Sequence, residues 1–389
     1  MMPMEIAPGI YDVGATDWIV RDFHGYKTER GASYNSYLIV DEKICLIDTV
    51  KACYADELLE KIRRVADPAK IDYVVVNHVE PDHAGALPEV LKAAPNAKFI
   101  ITMQGKNEAL RHYGDGFDFM VVKEGDKISL GSRKLTFVPM PMLHWPDNMV
   151  TYCPQDGILF SNDAFGQHYA SSKRFDDEVD EYVLFYEAKK YFANILWPYA
   201  RLIGGALKKA SALDIKMIAP AHGVIWRSKI AQILENYAAW GTGVNGKSVV
   251  IAYDTMWGGT EALARAMVEG AAAAGVKVQL MRMDRTPCST VAAELFEAGG
   301  LLVGSPTLNS GMMPTIGGML VYLKGLQPKG KKAAAFGTCG WAGGAQKDME
   351  AMLTAGGFDL QPGFNCKWRA CVDETEAARQ FAYEFAKNL

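Results

Sequence analysis

Short apolar runs bounded by turn residues recur through the first part of the chain, at 37–40, 44–47, 73–76, 99–102, 135–138, 158–160 and 217–219. Runs this short suit buried strands better than helices. Between several of them apolar residues return at helical spacing, over 55–65 and 86–93, and a further helical stretch covers 228–240. This pattern predicts a mixed α/β sandwich. It is followed by Gly241-Thr242-Gly243-Val244-Asn245-Gly246-Lys247, a glycine-rich segment of the kind that joins domains.

Beyond that segment the rhythm becomes regular. Strands are expected at 248–253, 276–281, 301–303, 332–336 and 367–372, alternating with helices at 260–274, 291–298, 315–323, 345–355 and 374–388. Five βα units in sequence predict a doubly wound parallel sheet with its ligand at the carboxyl ends of the strands. The expected domains are 1–245 and 246–389.

A chain of 389 residues exceeds the size at which single hydrophobic cores stop growing, which agrees with two domains. Apolar residues at 49% and charged residues at 22% are ordinary for a globular protein. No stretch is apolar enough to span a bilayer, and the first ten residues carry Glu5 without a basic start, so a soluble, cytoplasmic protein is expected. A net charge of −4 gives no field that argues for nucleic acid or a membrane surface as partner. The seven cysteines form no CxxC pair and are odd in number, so neither a disulfide framework nor a sulfur-ligated iron or zinc site is indicated.

Candidate chemistry begins at His78-Val79-Glu80-Pro81-Asp82-His83, directly after an expected buried strand. Four potential ligands within six residues on a strand-end loop can converge on one point. His144, Asp163 and His222 follow three other expected strands. Taken singly, each is as readily a turn or capping residue, and Glu80 and Asp82 would also serve as N-cap or first-turn acids of the next helix. Their recurrence at separate strand ends favours metal. Histidines and carboxylates without thiolate suit a pair of redox-active ions such as iron or manganese better than a closed zinc site, and leave Asp163 free to bridge them.

These residues resemble the metal signature of the flavodiiron proteins, the oxygen- and nitric-oxide-reducing relatives of metallo-β-lactamases. Where hydrolytic relatives have histidine in the third position of the first motif, this chain has Glu80. The resemblance implies that His78, Glu80 and His144 hold one iron and Asp82, His83 and His222 the other, with Asp163 between them. In some members the residue matching His83 is turned away from the metal. His24 resembles an outer position of the family, although a turn histidine before Gly25 reads equally well. His112 reads as a helix-end residue and His168 as a loop residue near the site without a metal role.

In the second domain, Thr255-Met256-Trp257-Gly258-Gly259-Thr260 lies at a strand-to-helix turn, where backbone N–H groups and the helix dipole can grip a phosphate. It lacks GK[ST] and GxGxxG, so a phosphomonoester is favoured over a nucleoside triphosphate. Pro306, Thr307 and Asn309 follow the third expected strand, and Cys339, Gly340 and Trp341 the fourth. Together the loops resemble those that hold FMN in flavodoxins. Main-chain groups are expected to do most of the binding, with Thr255, Thr260, Thr307, Asn309, Gly340 and Trp341 ranked first.

The resemblance covers the chain from end to end. It implies a metallo-β-lactamase-like αββα sandwich followed by a flavodoxin-like sheet, with two iron ions and FMN. It further implies reduction of dioxygen to water, of nitric oxide to nitrous oxide, or of both. The donor is expected to be external, a rubredoxin or alternatively a reduced deazaflavin. A head-to-tail homodimer, or a dimer of such dimers, is the expected assembly. The competing reading is a zinc metallo-hydrolase with a flavodoxin-like regulatory domain, against which Glu80 argues.

Overall fold

The computed structural model describes residues 2–389. The chain forms two compact units. The first comprises Met1–Arg21, Thr28–Tyr191 and Arg201–Gly241, and the second Asp22–Lys27, Phe192–Ala200 and Thr242–Leu389. The contact boundary thus falls at Gly241/Thr242, and two short segments that precede it in sequence belong to the second unit.

The first unit is built on two sheets. One has seven strands, in the order Met4–Ala7, Ile10–Asp12, Tyr37–Ile39, Ile44–Ile47, Ile71–Val75, Lys98–Ile101 and Asp118–Val121. The other has five, in the order Lys127–Ser129, Lys134–Pro139, Met149–Cys153, Ile158–Asn162 and Met217–Pro220. Side chains alternate between the faces of a strand, and that alternation builds both layers of the core. Ile39, Ile47, Val75 and Ile100 face Leu135, Phe137, Met149 and Phe160 of the other sheet. Their neighbours Leu38, Leu46, Val74 and Phe99 turn outward onto Leu58, Ile62 and Val90 of helices Ala55–Arg63 and Leu87–Ala93.

The second unit is a parallel sheet in the order Lys277–Arg282, Gly246–Tyr253, Ala298–Pro306 and Lys332–Cys339, edged by Asp359–Leu360 and Phe364–Lys367. Numbered along the chain this is the flavodoxin-type order, whose switch point lies between the first and third strands. Val250, Ala252, Leu301, Val303, Ala333 and Ala335 pack on helices Cys288–Glu297, Pro314–Leu326 and Ala345–Ala355. Val249, Ile251, Leu302, Ala334 and Phe336 pack on helices Gly259–Ala273 and Val372–Lys387.

Three features differ from the sequence expectation. The fifth strand is Phe364–Lys367 rather than 367–372. Trp368 adopts a left-handed φ of 53°, which ends the strand, and Cys371 then caps the last helix reciprocally with Glu374. The joining segment is shorter than its glycines suggest, since a helix runs to Thr242 and a strand starts at Gly246. Lys331 fastens what remains, its Nζ donating to the carbonyl of Val244 at 2.8 Å and to Asn245 Oδ1 at 3.1 Å. The third is the packing of Phe192–Ala200 in the second unit, where Phe192 and Trp197 contact the ring of Phe296 at 5.3 and 4.9 Å.

Candidate metal centre and flavin cavity

All seven metal candidates come together at one end of the first unit's sandwich. His78 leaves the strand Ile71–Val75, and Glu80 stands at the N-cap of a short helix, Pro81–Ala84, that carries Asp82 and His83. Glu80 makes no side-chain cap bond there, so the helix-capping reading of that acid is not realised. His144 lies in the loop after Lys134–Pro139, Asp163 directly follows Ile158–Asn162, and His222 follows Met217–Pro220.

The side chains sort into two groups. Glu80 Oε2 lies 3.3 Å from Nε2 of both His78 and His144. Asp82 Oδ2 lies 3.2 Å from His222 Nε2, and Asp82 Oδ1 3.4 Å from His83 Nε2. Asp163 divides its carboxylate between them. Its Oδ2 is 3.7 and 3.5 Å from His78 and His144, while Oδ1 is 3.0 and 3.6 Å from His83 and His222. Donor atoms of His78, His144 and Asp163 lie within 4.8 Å of one another, and those of Asp82, His83 and His222 do the same.

Every one of these side chains is buried except Glu80 and His144, which keep 12% and 15% exposure and form the open side of the site. Burial opposes charge on the imidazoles, yet the carboxylates around them prevail. Hydrogen bonds with Asp147 and Glu80 and the charge of Asp163 hold His78 up at about 10. His144 likewise stands at about 10 through Asp163 and Glu80, and His83 at about 9 through Asp82 and Asp163. The same attraction, against burial, keeps Glu80 at about 2 and Asp163 well below the usual carboxylate range. Protons therefore occupy positions that cations would take, because ligating imidazoles must give them up.

Buried polar atoms test whether metal fits. Asp82 Oδ1, Asp163 Oδ2 and His83 Nε2 have no hydrogen-bond partner, although each faces the centre of its group. Native proteins rarely leave such atoms unsatisfied. A cation in each group would satisfy all three, so the donor set fits a pair of metal ions.

Outer partners aim the ligands, and the sequence reading missed them. Asp147 accepts from His78 Nδ1, with both oxygens at 3.0 Å, and the Ser33 carbonyl accepts from His222 Nδ1 at 2.6 Å. Tyr191 donates to Asp163 Oδ1 at 2.9 Å. Their signals are weak in sequence, since each is a common residue far along the chain from the group it holds. His168 stands near the site, its ring 5.1 Å from that of His222, and burial followed by the His222 charge keeps it neutral. His112 sits in the last turn of helix Met103–Tyr113. His24 lies in a left-handed turn of the segment that belongs to the second unit.

The second unit carries a cavity of ≈ 390 Å³ at the carboxyl ends of its strands. Ten of the twelve flavin candidates line it: Thr255, Met256, Trp257, Gly259, Pro306, Thr307, Asn309, Cys339, Gly340 and Trp341. Gly258 and Thr260 stand behind it instead. Gly258 turns the loop with a φ of 81°, and the fully buried Thr260 lies 3.3 Å from the hydroxyl of Thr338. Asp254 braces the same loop by accepting from Thr255 N at 2.7 Å and pairing with the Thr315 hydroxyl. Trp368, outside the expected loops, completes the wall 5.7 Å from Trp341. Its signal was masked by the misplaced fifth strand. A shallow cavity of small residues and aromatic walls, with backbone N–H groups at a helix start, fits a flat ring carrying a phosphate.

A lactamase-type sandwich with twin ligand groups, joined to a flavodoxin-type sheet with an aromatic-walled cavity, defines a metal-dependent flavoprotein. Residues 32–223 match the family model described as "ODP family beta lactamase", and residues 251–381 match that of flavodoxin. The chain is 46% identical over 394 residues to a nitric oxide reductase of Moorella thermoacetica, covering all of this chain and 99% of that protein. Among solved structures it resembles the flavodiiron protein of Giardia intestinalis, with a TM-score of 0.97 and 38% identity over 100% of this chain and 96% of that one. The rubredoxin oxygen:oxidoreductase of Desulfovibrio gigas matches with a TM-score of 0.96 and 39% identity over 100% and 98%. The chain belongs to the flavodiiron protein family and is an oxidoreductase whose cofactors are a diiron pair and FMN.

Proposed function

We propose that this chain reduces dioxygen to water, nitric oxide to nitrous oxide, or both, at an iron pair fed through FMN by an external donor. In this reading His78, Glu80 and His144 would hold one iron and Asp82, His83 and His222 the other, with Asp163 placed to serve both. The single observation that supports it most is the division of the Asp163 carboxylate, one oxygen toward each histidine group.

When bound, the iron pair supplies Lewis acidity and electrons to a small diatomic gas, and FMN relays electrons one at a time. The rest belongs to the chain. Asp147 and the Ser33 carbonyl hold protons on Nδ1 of His78 and His222, which leaves Nε2 free to ligate. Glu80 and Asp82 add negative charge that favours iron over a hydrolytic zinc arrangement. Tyr191 steadies the Asp163 oxygen on one side. The partly exposed edge at Glu80 and His144 is the side from which a gas enters. Thr255, Met256, Trp257, Gly259, Pro306, Thr307, Asn309, Cys339, Gly340 and Trp341 surround the flavin, with Gly258 and Thr260 shaping its phosphate loop.

A rubredoxin is the proposed donor, with a reduced deazaflavin as the alternative. The cytoplasm is the proposed compartment; no helix among the described residues is long and apolar enough to cross a membrane. A head-to-tail homodimer is the proposed assembly, in which the flavin of one chain serves the irons of the other. Mixing an Asp163 variant with a Thr255/Thr260 double variant checks this, since activity recovered in confirmed heterodimers requires transfer between chains.

The deciding experiment is metal analysis with a visible spectrum, then anaerobic reduction and separate stopped-flow mixing with dioxygen and nitric oxide. An iron pair, a flavin spectrum and rapid reoxidation by at least one gas are expected. Stoichiometric zinc without redox turnover would overturn the proposal in favour of a hydrolase.

A further inference from the structure

Behind the ligands a buried set of polar side chains joins every loop that carries them. Asp48 follows the strand Ile44–Ile47, and its carboxylate accepts from the backbone N–H of Asn77 at 2.7 Å, from Asn77 Nδ2 at 2.9 Å and from Asn162 Nδ2 at 3.4 Å. Asn162 Oδ1 accepts in turn from Asn148 Nδ2 at 3.3 Å, and Asn148 Oδ1 accepts from the backbone N–H of Trp145 at 2.6 Å. The carbonyl of Asn162 accepts from Ala221 N at 2.8 Å. Asn77 precedes His78, Trp145 follows His144, Asn162 precedes Asp163 and Ala221 precedes His222. The four ligand-bearing loops therefore meet at Asn162. This residue is buried, with a left-handed φ of 52°, a conformation that asparagine tolerates better than most side chains.

We propose that Asn162 is a positioning residue for the metal centre. Its amide ties the loops of His78 and His144 to the strand end that carries Asp163, and its left-handed turn sets the direction in which Asp163 offers one oxygen to each histidine group. The inference rests on the reading that those groups hold iron. Asn162 itself supplies no ligand and acts through Asp163 and the loops it joins. A buried polar network with its hydrogen bonds made holds its members rigidly, and groups that orient ligands tune metal affinity. A carboxylate that serves two ions must place both oxygens at once, so it tolerates less misalignment than a ligand to one ion. Loosening Asn162 therefore disturbs the shared ligand before it disturbs the histidines of either group.

The test compares full-length wild type, Asn162→Gly, Asn148→Ala and the double variant, each titrated anaerobically with ferrous iron and then measured by EPR in the half-reduced state. Glycine keeps the left-handed turn and removes the amide. Asn148→Ala leaves that turn untouched and removes the partner of the amide, so it decides the matter if the glycine variant fails to fold. Each single variant should bind iron about 10- to 100-fold more weakly, the usual cost of losing a group that orients a ligand. Each should also change the EPR spectrum, which reports how the ions share Asp163. The double variant should lose less than the product of the two single losses, because both act on one contact. Variants that melt lower without metal yet keep wild-type iron affinity and spectrum would overturn this inference alone. Failure of the wild type to bind an iron pair would overturn the reading of the metal site, and this inference with it.

Discussion

The two sites solve binding differently. At the metal centre seven side chains from four strand ends converge, aimed by Asp147, Tyr191 and the Ser33 carbonyl. In the flavin cavity three loops present backbone at the end of a parallel sheet, and side chains mainly close the walls, with Trp341 81% and Trp257 94% exposed. Substituting one residue should therefore disable the first site and only weaken the second.

The largest expected effect follows from Asp163→Asn. An amide bridges two cations poorly, so iron content and turnover should fall by more than the about 10- to 100-fold typical of an outer partner. FMN content should stay unchanged. Elemental analysis and flavin absorbance on one sample check both, and loss of FMN would mean that the sites are coupled.

Glu80→His is a subtler attack on the same side-chain logic. It removes a negative charge and introduces the histidine found in hydrolytic relatives, so the zinc-to-iron ratio after expression in a medium with both metals should rise. A variant that keeps an iron pair and full turnover would show that Glu80 is not a ligand.

Within the second unit, Phe296→Ala should destabilise by about 3–5 kcal/mol, the usual range for a buried aromatic, because Phe296 also anchors Phe192 and Trp197. Iron content should hold while a flavin-monitored melt shifts down. A fragment limited to 246–389 lacks both anchors and should melt below the full chain in the same assay.

The smallest effect belongs to the cavity walls. Trp341→Ala or Trp368→Ala should weaken FMN binding by about 0.5–1.5 kcal/mol, the value of an aromatic pair. Fluorescence titration of the deflavinated protein reads this directly. A loss beyond about 100-fold, or ~2.7 kcal/mol, would show that side chains dominate the flavin site too.

The sequence by itself determined the ligand types, the order of the two units and most of the sheet strands. Strand-end histidines and acids are conspicuous because so many ligand types fall within six residues at His78–His83, and alternating apolar runs set both faces of each sheet at once. It also marked the flavin loops, since small residues after a strand carry the turn chemistry with them. Tertiary structure alone decided the partners. Asp147 and Tyr191 read as ordinary residues until folding brings them to His78 and Asp163. The same holds for Trp368, whose left-handed turn cannot be read from local periodicity, and for Phe192–Ala200, which packs with the second unit although it precedes the joining segment. Local pattern encodes which face of an element is apolar and which residues can ligate. Which distant residue completes a hydrogen bond or fills a wall depends on contacts between segments far apart in the chain, and only the fold brings these together.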